Sequence, residues 1–386
     1  MKLSTRSVTQ GAALLFATAL AACGGSAASG AGGAIPITAQ PSPQASAPNG
    51  FLASLSGSQV SLVNALAGQI VSGQLPDGAI RNGSTSINGY FANYAAMSLV
   101  VAGDDSAVLR WAQWYVAHLN APNAWGQGCS MYDYAVSGGK EISTGGASSV
   151  DAHSASFLTL LRAMYRSGNP TLMAYVSGLH PQAECVALSL TSLIAPNGLA
   201  QVKPGDDIEY LIDNTQVFRG LGDVAWLEEH VWNDPANYAA HVHDQGGVQN
   251  GIAKLWNASA GMYASYTTPL GHIEAAPSWN TWYPDATAQL FPVINHVIDR
   301  TSPQAVQVYN AFNTAWPNWT AGTHGNPSGF PWAVVAQAAA EMGDFSRSNA
   351  FAANATSAYA GKWQWPWYDY ESSSLIRAIA APSFYI

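Results

Sequence analysis

The sequence has little charge for its length. Only 10% of its 386 residues are Asp, Glu, Lys or Arg, compared with roughly 25% in ordinary soluble domains. The net charge is −9, whereas a protein that binds nucleic acid through the phosphates needs a basic face. We therefore expect no nucleic-acid partner, and we expect Ser, Thr, Asn, Gln and Gly to cover much of the surface.

Motifs that define several common enzyme classes are also absent. The sequence contains no phosphate-binding loop, no dinucleotide-binding fingerprint and no Gly-x-Ser-x-Gly nucleophile elbow. His241, His243 and Asp244 form a short histidine-rich stretch, but residues two positions apart do not share a helix face. We therefore predict no metal site and no cofactor.

Cysteine is scarce, and the first of the three cysteines lies in an export signal. Residues 1–6 carry two basic side chains, and residues 11–22 are apolar but too few to remain as a transmembrane helix. The Leu-Ala-Ala-Cys at 20–23 resembles the bacterial lipobox, whose cysteine is lipidated and becomes the first mature residue. We predict a lipoprotein signal peptide over residues 1–22 and lipidation of Cys23. The alternative is an ordinary signal peptide that happens to contain a cysteine.

Residues 23–50 consist mainly of Gly, Ser, Ala, Pro and Gln. Such a segment cannot bury enough apolar surface to fold, so we predict a disordered tether. This organisation predicts an exported bacterial lipoprotein of the outer membrane or the periplasm-facing envelope, a monomer that contacts the membrane only through its lipid anchor. In an oxidising compartment, Cys129 and Cys185 are expected to form a disulfide.

Residues 51–386 show helical periodicity, and strand-type alternation is nearly absent. A long loop rich in Asp, Trp, Tyr and Pro leads to an apolar helix, and a short Gly, Asp or Pro turn then leads to a more amphipathic helix. This unit recurs about six times if the helix at 51–73 closes a ring against the last one. We predict one all-α domain, an (α/α)6 toroid, with its long loops and the N-termini of its inner helices on one face.

Two short stretches resemble a known family. Residues 78–91 contain Gly-Ala-Ile and Ser-Ile-Asn-Gly-Tyr-Phe, and residues 150–153 read Val-Asp-Ala-His. Together with the helical rhythm, they resemble the six-hairpin glycosidases and, locally, glycoside hydrolase family 8. The resemblance implies a substrate groove across the N-terminal ends of the inner helices. Asp151 matches the family's motif, whereas Ile87 stands about where the family has its acid Glu, and His153 stands where it has a second Asp.

Acidic residues concentrate in one segment. Only 23 of 386 residues are Asp or Glu, yet Asp206, Asp207, Glu209 and Asp213 fall within eight positions. Helix capping explains part of this cluster, because acidic side chains are favourable at a helix N-terminus. Glycoside hydrolysis needs two carboxyl groups, one of them with a raised pKa. The predicted sources of the catalytic pair are Asp151, Asp207, Asp213 and Asp285.

Aromatic and polar side chains of the long loops are the candidate substrate-binding residues. The sequence has 14 Trp and 17 Tyr, and their rings can either stack on sugars or pack over the helical core. The predicted substrate-binding residues are Asp77, His153, Glu209, Tyr210, Trp279, Trp282, Tyr283 and Trp367.

These features predict a glycoside hydrolase that cleaves an envelope or extracellular polysaccharide with a pair of carboxyl groups. One alternative is a polysaccharide lyase on a related toroid, with His153, Tyr210 and Arg219 in proton transfer, although an acidic site would repel its uronic acid substrate. A second alternative is a non-catalytic lipoprotein that binds glycans.

Overall fold

The computed structural model describes residues 51–121, 128–271, 276–322, 329–363 and 365–384. The predicted signal peptide, the lipidation site Cys23 and the tether at 23–50 lie outside these residues. Within the described ranges, no helix combines the length and the apolar character that a membrane span requires.

Helices dominate the described residues, which form thirteen helices and seven short strands. The helices are α1 (Gly57–Gly73), α2 (Gly89–Ala102), α3 (Asp105–Ala117), α4 (Val150–Arg166), α5 (Pro170–Ser177), α6 (His180–Thr191), α7 (Leu211–Leu227), α8 (Pro235–Lys254), α9 (Phe291–Ile294), α10 (Pro303–Ala315), α11 (Ala333–Glu341), α12 (Phe345–Tyr359) and α13 (Asp369–Phe384). The strands are β1 (Ser86–Ile87), β2 (Tyr134–Ser137), β3 (Lys140–Ser143), β4 (Glu209–Tyr210), β5 (Trp256–Asn257), β6 (Met262–Tyr263) and β7 (Tyr266–Thr267). Single π turns cover Glu228–Trp232 and Trp282–Ala286, and a 3-10 turn covers Trp319–Ala321.

The helices pair into hairpins around a closed ring. The inner helices α2, α4, α7, α11 and α13 pack on their neighbours, and α9 fills the remaining inner place between α7 and α11. The outer layer contains α3, α5 with α6, α8, α10 and α12, and α1 completes it by packing on α13. The predicted all-α (α/α)6 toroid is therefore confirmed, including its closure by the first helix.

Burial distinguishes the two layers. Every residue from Phe91 to Val101 of α2 is buried, and so is every residue from Val150 to Leu158 of α4. The outer α12 buries only Ser348, Phe351 and Ala355, which lie three and four positions apart on one face. A helix that is buried all round belongs to a core, whereas a helix with one buried stripe belongs to a surface. The predicted alternation of apolar and amphipathic helices corresponds to these inner and outer layers.

Polar side chains fix where several inner helices begin. The side chains of Asn88 and Ser149 cap α2 and α4, respectively, by accepting hydrogen bonds from backbone N–H groups of the first turn. In α11 a distant carboxylate does the same, because Glu371 accepts from the N–H groups of Trp332 (3.2 Å) and Ala333 (2.6 Å). These caps hold the helix N-termini at one end of the ring.

The fourth inner position differs from the prediction. The periodicity of residues 283–298 predicts one continuous helix, but the structure has a π turn followed by the four-residue α9. Pro292 removes a backbone donor within this segment, and Tyr283, which precedes Pro284, is extended (φ −127°, ψ 135°). The prediction of a full helix was therefore wrong, and the irregular backbone places Tyr283 and Pro284 at the mouth of the ring.

The short strands connect loops with one another. Strands β1, β2 and β3 form an antiparallel sheet in that order, with Ile87 opposite Tyr134. Strand β4 pairs with β7, so that Tyr210 lies opposite Tyr266, and β5 pairs with β6. Because β4 leads directly into α7, its pairing fixes the direction in which the chain enters that inner helix.

Cys129 and Cys185 form a disulfide, with their Cα atoms 5.6 Å apart. It joins the loop after α3 to the outer helix α6 across a sequence separation of 56 residues. A disulfide that closes a loop of this length lowers the entropy of the unfolded chain, and in the chain-entropy description this stabilises the folded state by about 4 kcal/mol.

We expect Gly220→Ala to destabilise the ring. A Cβ at Gly220 of α7 would lie 2.7 Å from the Cα and the carbonyl oxygen of Ala155 in α4, so the two backbones would have to separate. The expected loss is about 1–3 kcal/mol of unfolding free energy, as for other overpacked cores. The matched control is Gly246→Ala on α8, where a Cβ meets no atom within 4 Å; it should be neutral or stabilising by up to about 1 kcal/mol. Equal unfolding free energies for the two variants in urea would contradict the close approach of α4 and α7.

Candidate active site

A pocket opens at the end of the ring where the inner helices begin. Each of the six inner units contributes residues from its first turn or from the positions just before it. The lining residues are Asn88, Tyr90, Phe91, Ser148, Ser149, Ala152, His153, Tyr210, Ile212, Asp213, Ser265, Tyr283, Pro284, Phe291, Trp332, Val334 and Tyr370.

Asp213, in the first turn of α7, is the one carboxylate among these lining residues. It is half-buried, and its Oδ2 makes no hydrogen bond within the described part of the chain. Loss of water around the carboxylate raises the pKa of Asp213 to about 7. At neutral pH a large share of the molecules therefore carry a protonated Asp213 that faces the pocket and can donate a hydrogen bond or a proton.

Asp151 interacts with Asp213 from a fully buried position in the first turn of α4. Its Oδ1 accepts from the hydroxyl of Ser149 and from the N–H of Ala152 (2.8 Å). Burial and the negative charge of Asp213 raise the pKa of Asp151 well above its ordinary value, against the opposing effect of these hydrogen bonds. The two carboxyl groups are therefore electrostatically coupled, and the pair retains a proton to higher pH than an isolated carboxyl group does.

Tyrosine side chains surround the same carboxylate. Burial raises the pKa values of Tyr90, Tyr210 and Tyr283, and the charge of Asp213 adds to each shift. All three phenols are therefore neutral at physiological pH and can donate or accept hydrogen bonds. The hydroxyl oxygens of Tyr90 and Tyr370 lie 2.9 Å apart, which fixes one pair of rings at the pocket.

A polar network holds His153 in the pocket wall. Burial lowers the pKa of His153, although the charge of Asp133 opposes the shift, so the imidazole is neutral at pH 7. Its Nε2 lies 3.4 Å from the Ser148 hydroxyl and 3.7 Å from the Asp133 carboxylate. Asn88 donates to Asp133 (3.0 Å) and to Ser148 (2.9 Å), which orders the whole group. The three members of this group that line the pocket, Asn88, Ser148 and His153, are uncharged donors and acceptors of the kind that suits the hydroxyl groups of a sugar.

Two other predicted carboxylates lie near the pocket but do not line it. Asp285 accepts from the hydroxyl of Ser265 (2.6 Å) and from the N–H of Ser278 (3.0 Å), so it fixes loop geometry. Glu209 is fully buried, accepts from Asn197 (2.7 Å) and has a pKa that burial raises to about 7. Neither contributes an atom to the lining. Glu209 is fully buried, so we remove it from the residues that contact substrate, whereas the catalytic role of Asp285 stays a prediction.

The remaining predicted site residues lie elsewhere. Asp77 and Asp207 are exposed and outside the lining. Trp282 and Trp367 are 2% and 1% exposed, respectively, and Trp279 is partly buried against the core. The buried Trp282 and Trp367 pack in the core, so we correct their assignment as sugar-stacking residues, whereas the assignment of Trp279 stays a prediction. The rings that do line the pocket are Tyr90, Phe91, Tyr210, Tyr283, Phe291, Trp332 and Tyr370.

Arg219, which the lyase alternative requires, lies further along α7. Its Nε donates to Asp223 at 2.9 Å, and it does not belong to the pocket lining. His153 and Tyr210 of that alternative are in the pocket, but the arginine is not.

Several lining residues were not predicted from the sequence as site residues. Ser148, Tyr90, Trp332 and Tyr370 each lie within two positions of the start of an inner helix. That position was the usable signal, because the face formed by these helix starts was predicted to carry the site. Asp133 offered no such signal, since it lies in the loop before β2 and interacts with the pocket residues Asn88, Ser148 and His153 without lining the pocket itself.

No protein-family model matches the sequence, and no curated protein sequence matches it. Solved structures do match. A glycosidase variant in complex with glucose aligns with a TM-score of 0.60 at 10% sequence identity, over 86% of this chain and 99% of that chain. A GH76 α-mannanase from Bacteroides thetaiotaomicron gives 0.55 at 10% identity, over 87% and 97% of the two chains. A reducing-end xylose-releasing exo-oligoxylanase gives 0.56 at 13% identity, over 86% and 94%.

At sequence identities of 10–13%, these similarities establish that the chain shares the fold of the solved structures. The predicted resemblance to six-hairpin glycosidases is confirmed at that level. The narrower resemblance to glycoside hydrolase family 8 stays a prediction.

We expect Asp213→Asn to stabilise the protein at alkaline pH. The folded pKa of Asp213, about 7, lies above the unfolded value of about 3.9, so its contribution to stability is fully present below about pH 4 and is lost as the pH rises through 7. The variant cannot ionise. It should therefore exceed the wild type by about 1–3 kcal/mol at pH 8, the usual cost of an unsatisfied buried polar group, and match it near pH 4.

Denaturant unfolding at the two pH values measures this difference, with the exposed Asp207→Asn as the control for a lost charge. A difference between Asp213→Asn and the wild type that does not grow from pH 4 to pH 8 would contradict the burial of this carboxylate.

Proposed function

We propose that the protein is a glycoside hydrolase whose Asp213 protonates the leaving glycosidic oxygen. The observation that carries this proposal is the position of Asp213: it is the carboxylate that lines a pocket formed by the N-terminal ends of all six inner units. The fold, which is similar to solved glycosidases, supports the proposal.

The proton donor of a glycosidase must be protonated at the working pH. Burial gives Asp213 a pKa of about 7, which meets this requirement without a metal or a cofactor. As the glycosidic C–O bond breaks, the proton passes from Asp213 to the departing oxygen. Water adds at the anomeric carbon and releases one proton, and the Asp213 carboxylate takes up a proton again, so the acid is restored. The neutral tyrosine hydroxyls nearby can hold the sugar in place during this step.

We assign Asp151 the role of a positioning residue. Glycoside hydrolysis commonly uses two carboxyl groups, and Asp151 is the one whose pKa the charge of Asp213 raises. Asp151 is fully buried and absent from the lining, so contact with the sugar falls to Asp213. The coupling between the two groups keeps a proton available on the pair.

We propose a neutral sugar as substrate. Among the lining residues there is no Lys or Arg, and the aromatic rings are numerous. A uronic acid would meet no cationic partner there and would be repelled by ionised Asp213. Aromatic faces and uncharged hydroxyl or amide groups suit a neutral pyranose, as part of an envelope or extracellular polysaccharide.

One observation favours a second candidate function, the binding of a glycan without turnover. The pocket lining contains a single carboxylate, whereas the usual glycosidase mechanism has two carboxyl groups flanking the scissile bond. The lyase alternative lacks its arginine at the pocket, because Arg219 pairs with Asp223 outside the lining.

We expect Asp213→Asn to lose activity by about 10²–10⁴-fold in kcat, the usual contribution of a general acid, while the wild type loses activity as the pH rises through about 7. Glu229→Gln, which removes an exposed carboxylate on the π turn after α7, is the matched control and should keep wild-type activity. The assay measures new reducing ends released from neutral bacterial polysaccharides.

The product also separates the candidates. An unsaturated, ultraviolet-absorbing end would indicate a lyase, and saturable binding without product at any pH would indicate a binding protein. Full activity of Asp213→Asn would contradict the assignment of the acid.

We further propose that the chain is exported as a lipoprotein anchored through Cys23. Bacteria that express the full chain with labelled palmitate should incorporate the label into the wild type and lose it in Cys23→Ser, because the thiol of Cys23 is the acceptor that the lipobox-like sequence at 20–23 supplies. Cys185→Ser, which removes a disulfide cysteine, serves as the control and should keep the label. Labelling of Cys23→Ser at the wild-type level would contradict the anchor.

A further inference from the structure

Two histidines and two glutamates meet outside the pocket, on the outer layer of the second and third hairpins. His180 and Glu184 lie one turn apart on α6, Glu228 begins the π turn after α7, and His241 lies on α8. None of them belongs to the lining of the candidate active site. The sequence places these residues up to 61 positions apart, so only the packing of three helical segments brings them together.

The distances within this cluster are those of a ligand set. The Nε2 of His180 lies 3.0 Å from the Oε2 of Glu228, yet neither atom makes a hydrogen bond within the described residues. One ligand atom each from His180, Glu184 and Glu228 lie within 4.8 Å of one another. The ligand atoms of His180, Glu184 and Glu228 therefore lie close together without being aligned for hydrogen bonds, as the ligands of a single bound ion do.

Glu228 supplies an independent observation. Its side chain is fully buried, and neither carboxylate oxygen has a hydrogen-bond partner within the described residues. A buried carboxylate without such partners is costly unless it carries a proton or meets a cation.

The surroundings hold the ligands in place. The imidazole of His180 stacks on Trp232 at 5.0 Å between ring centroids, and the indole of Trp232 donates to the carbonyl of Val176 (3.2 Å). His241 donates from Nε2 to Glu184 at 2.8 Å, the kind of outer hydrogen bond that orients a metal-binding carboxylate. Glu228 lies in a π turn, a local widening of the helix that is frequent at functional sites.

We propose that this cluster is a structural site for a divalent cation of the zinc type. His180, Glu184 and Glu228 are the three protein ligands, His241 orients Glu184, and water takes the fourth position. Imidazole and carboxylate ligands suit Zn²⁺. Tetrahedral zinc with bonds of about 2.0–2.1 Å needs ligand atoms about 3.3 Å apart, and rotation of the partly exposed His180 and Glu184 side chains closes the difference. The bound ion would tie α6 to the end of α7.

This site differs from the one that the histidine-rich stretch suggested. His243 is exposed on α8, whereas His241 turns inward to Glu184. The sequence argued against a metal site formed by residues 241–244 alone, because residues two positions apart do not share a helix face. The proposed ligands come instead from other helices.

The test uses the full chain without an affinity tag, stripped with EDTA and titrated with ZnCl₂ at pH 7.5. We expect one bound zinc per chain by calorimetry, and a rise in Tm of about 4 °C when free zinc is a hundredfold above its Kd. Glu228→Gln and His180→Ala should each weaken zinc binding at least tenfold. His243→Ala should keep the wild-type Kd, because its side chain is exposed on the same helix as His241.

The proposal is overturned if the wild type binds no zinc, or if both ligand variants bind it as tightly as His243→Ala does. If Glu228→Gln fails to fold, His180→Ala alone decides, since the partly exposed imidazole can be truncated with less disturbance. Because metal content and Tm are measured without substrate, the outcome is independent of the proposed glycosidase activity.

Discussion

The close packing of α4 against α7 is the contact on which the candidate active site depends. At Gly220 the α7 backbone approaches Ala155 so closely that a methyl group would overlap it. Both helices begin at the same end of the ring, so this approach also brings Asp151 and Asp213, in their first turns, within electrostatic reach of each other. The close contact between α4 and α7 in the core therefore determines the distance between the two carboxyl groups at the pocket.

Closure of the ring then determines the proton affinity of that pair. Asp213 loses water because the other inner units bring aromatic rings to the same pocket, among them Tyr90, Tyr283 and Trp332. The resulting pKa of about 7 is a property of the assembled toroid, since the first turn of α7 alone would leave the carboxylate in water. The protein keeps a carboxyl group where its ionisation opposes folding, which is a common sign of function.

The fold could be predicted because helical period and loop length are local properties of the sequence. The same reasoning placed Asp151, His153, Tyr210 and Asp213 at the starts of inner helices, where the structure has them. It could not say which indoles enter the core, because loop position does not determine the direction of a side chain; Trp282 is the example. Proline inside an apolar run broke the fourth inner helix, and tertiary packing alone assembled the cluster at Glu228.

The central claim is that Asp151 and Asp213 form a coupled, desolvated carboxyl pair. A ¹³C NMR titration of the aspartate carboxyl groups, in selectively labelled wild type and in Asp213→Asn, tests it most directly. The account predicts that the Asp213 signal titrates near pH 7 in the wild type and that the Asp151 signal titrates well above the usual aspartate range; in the variant the Asp213 signal disappears and the Asp151 pKa falls, because the charge that opposed its ionisation is gone. Titration of both the Asp151 and the Asp213 signal below about pH 5, as in model peptides with a spread of about one unit, would contradict it.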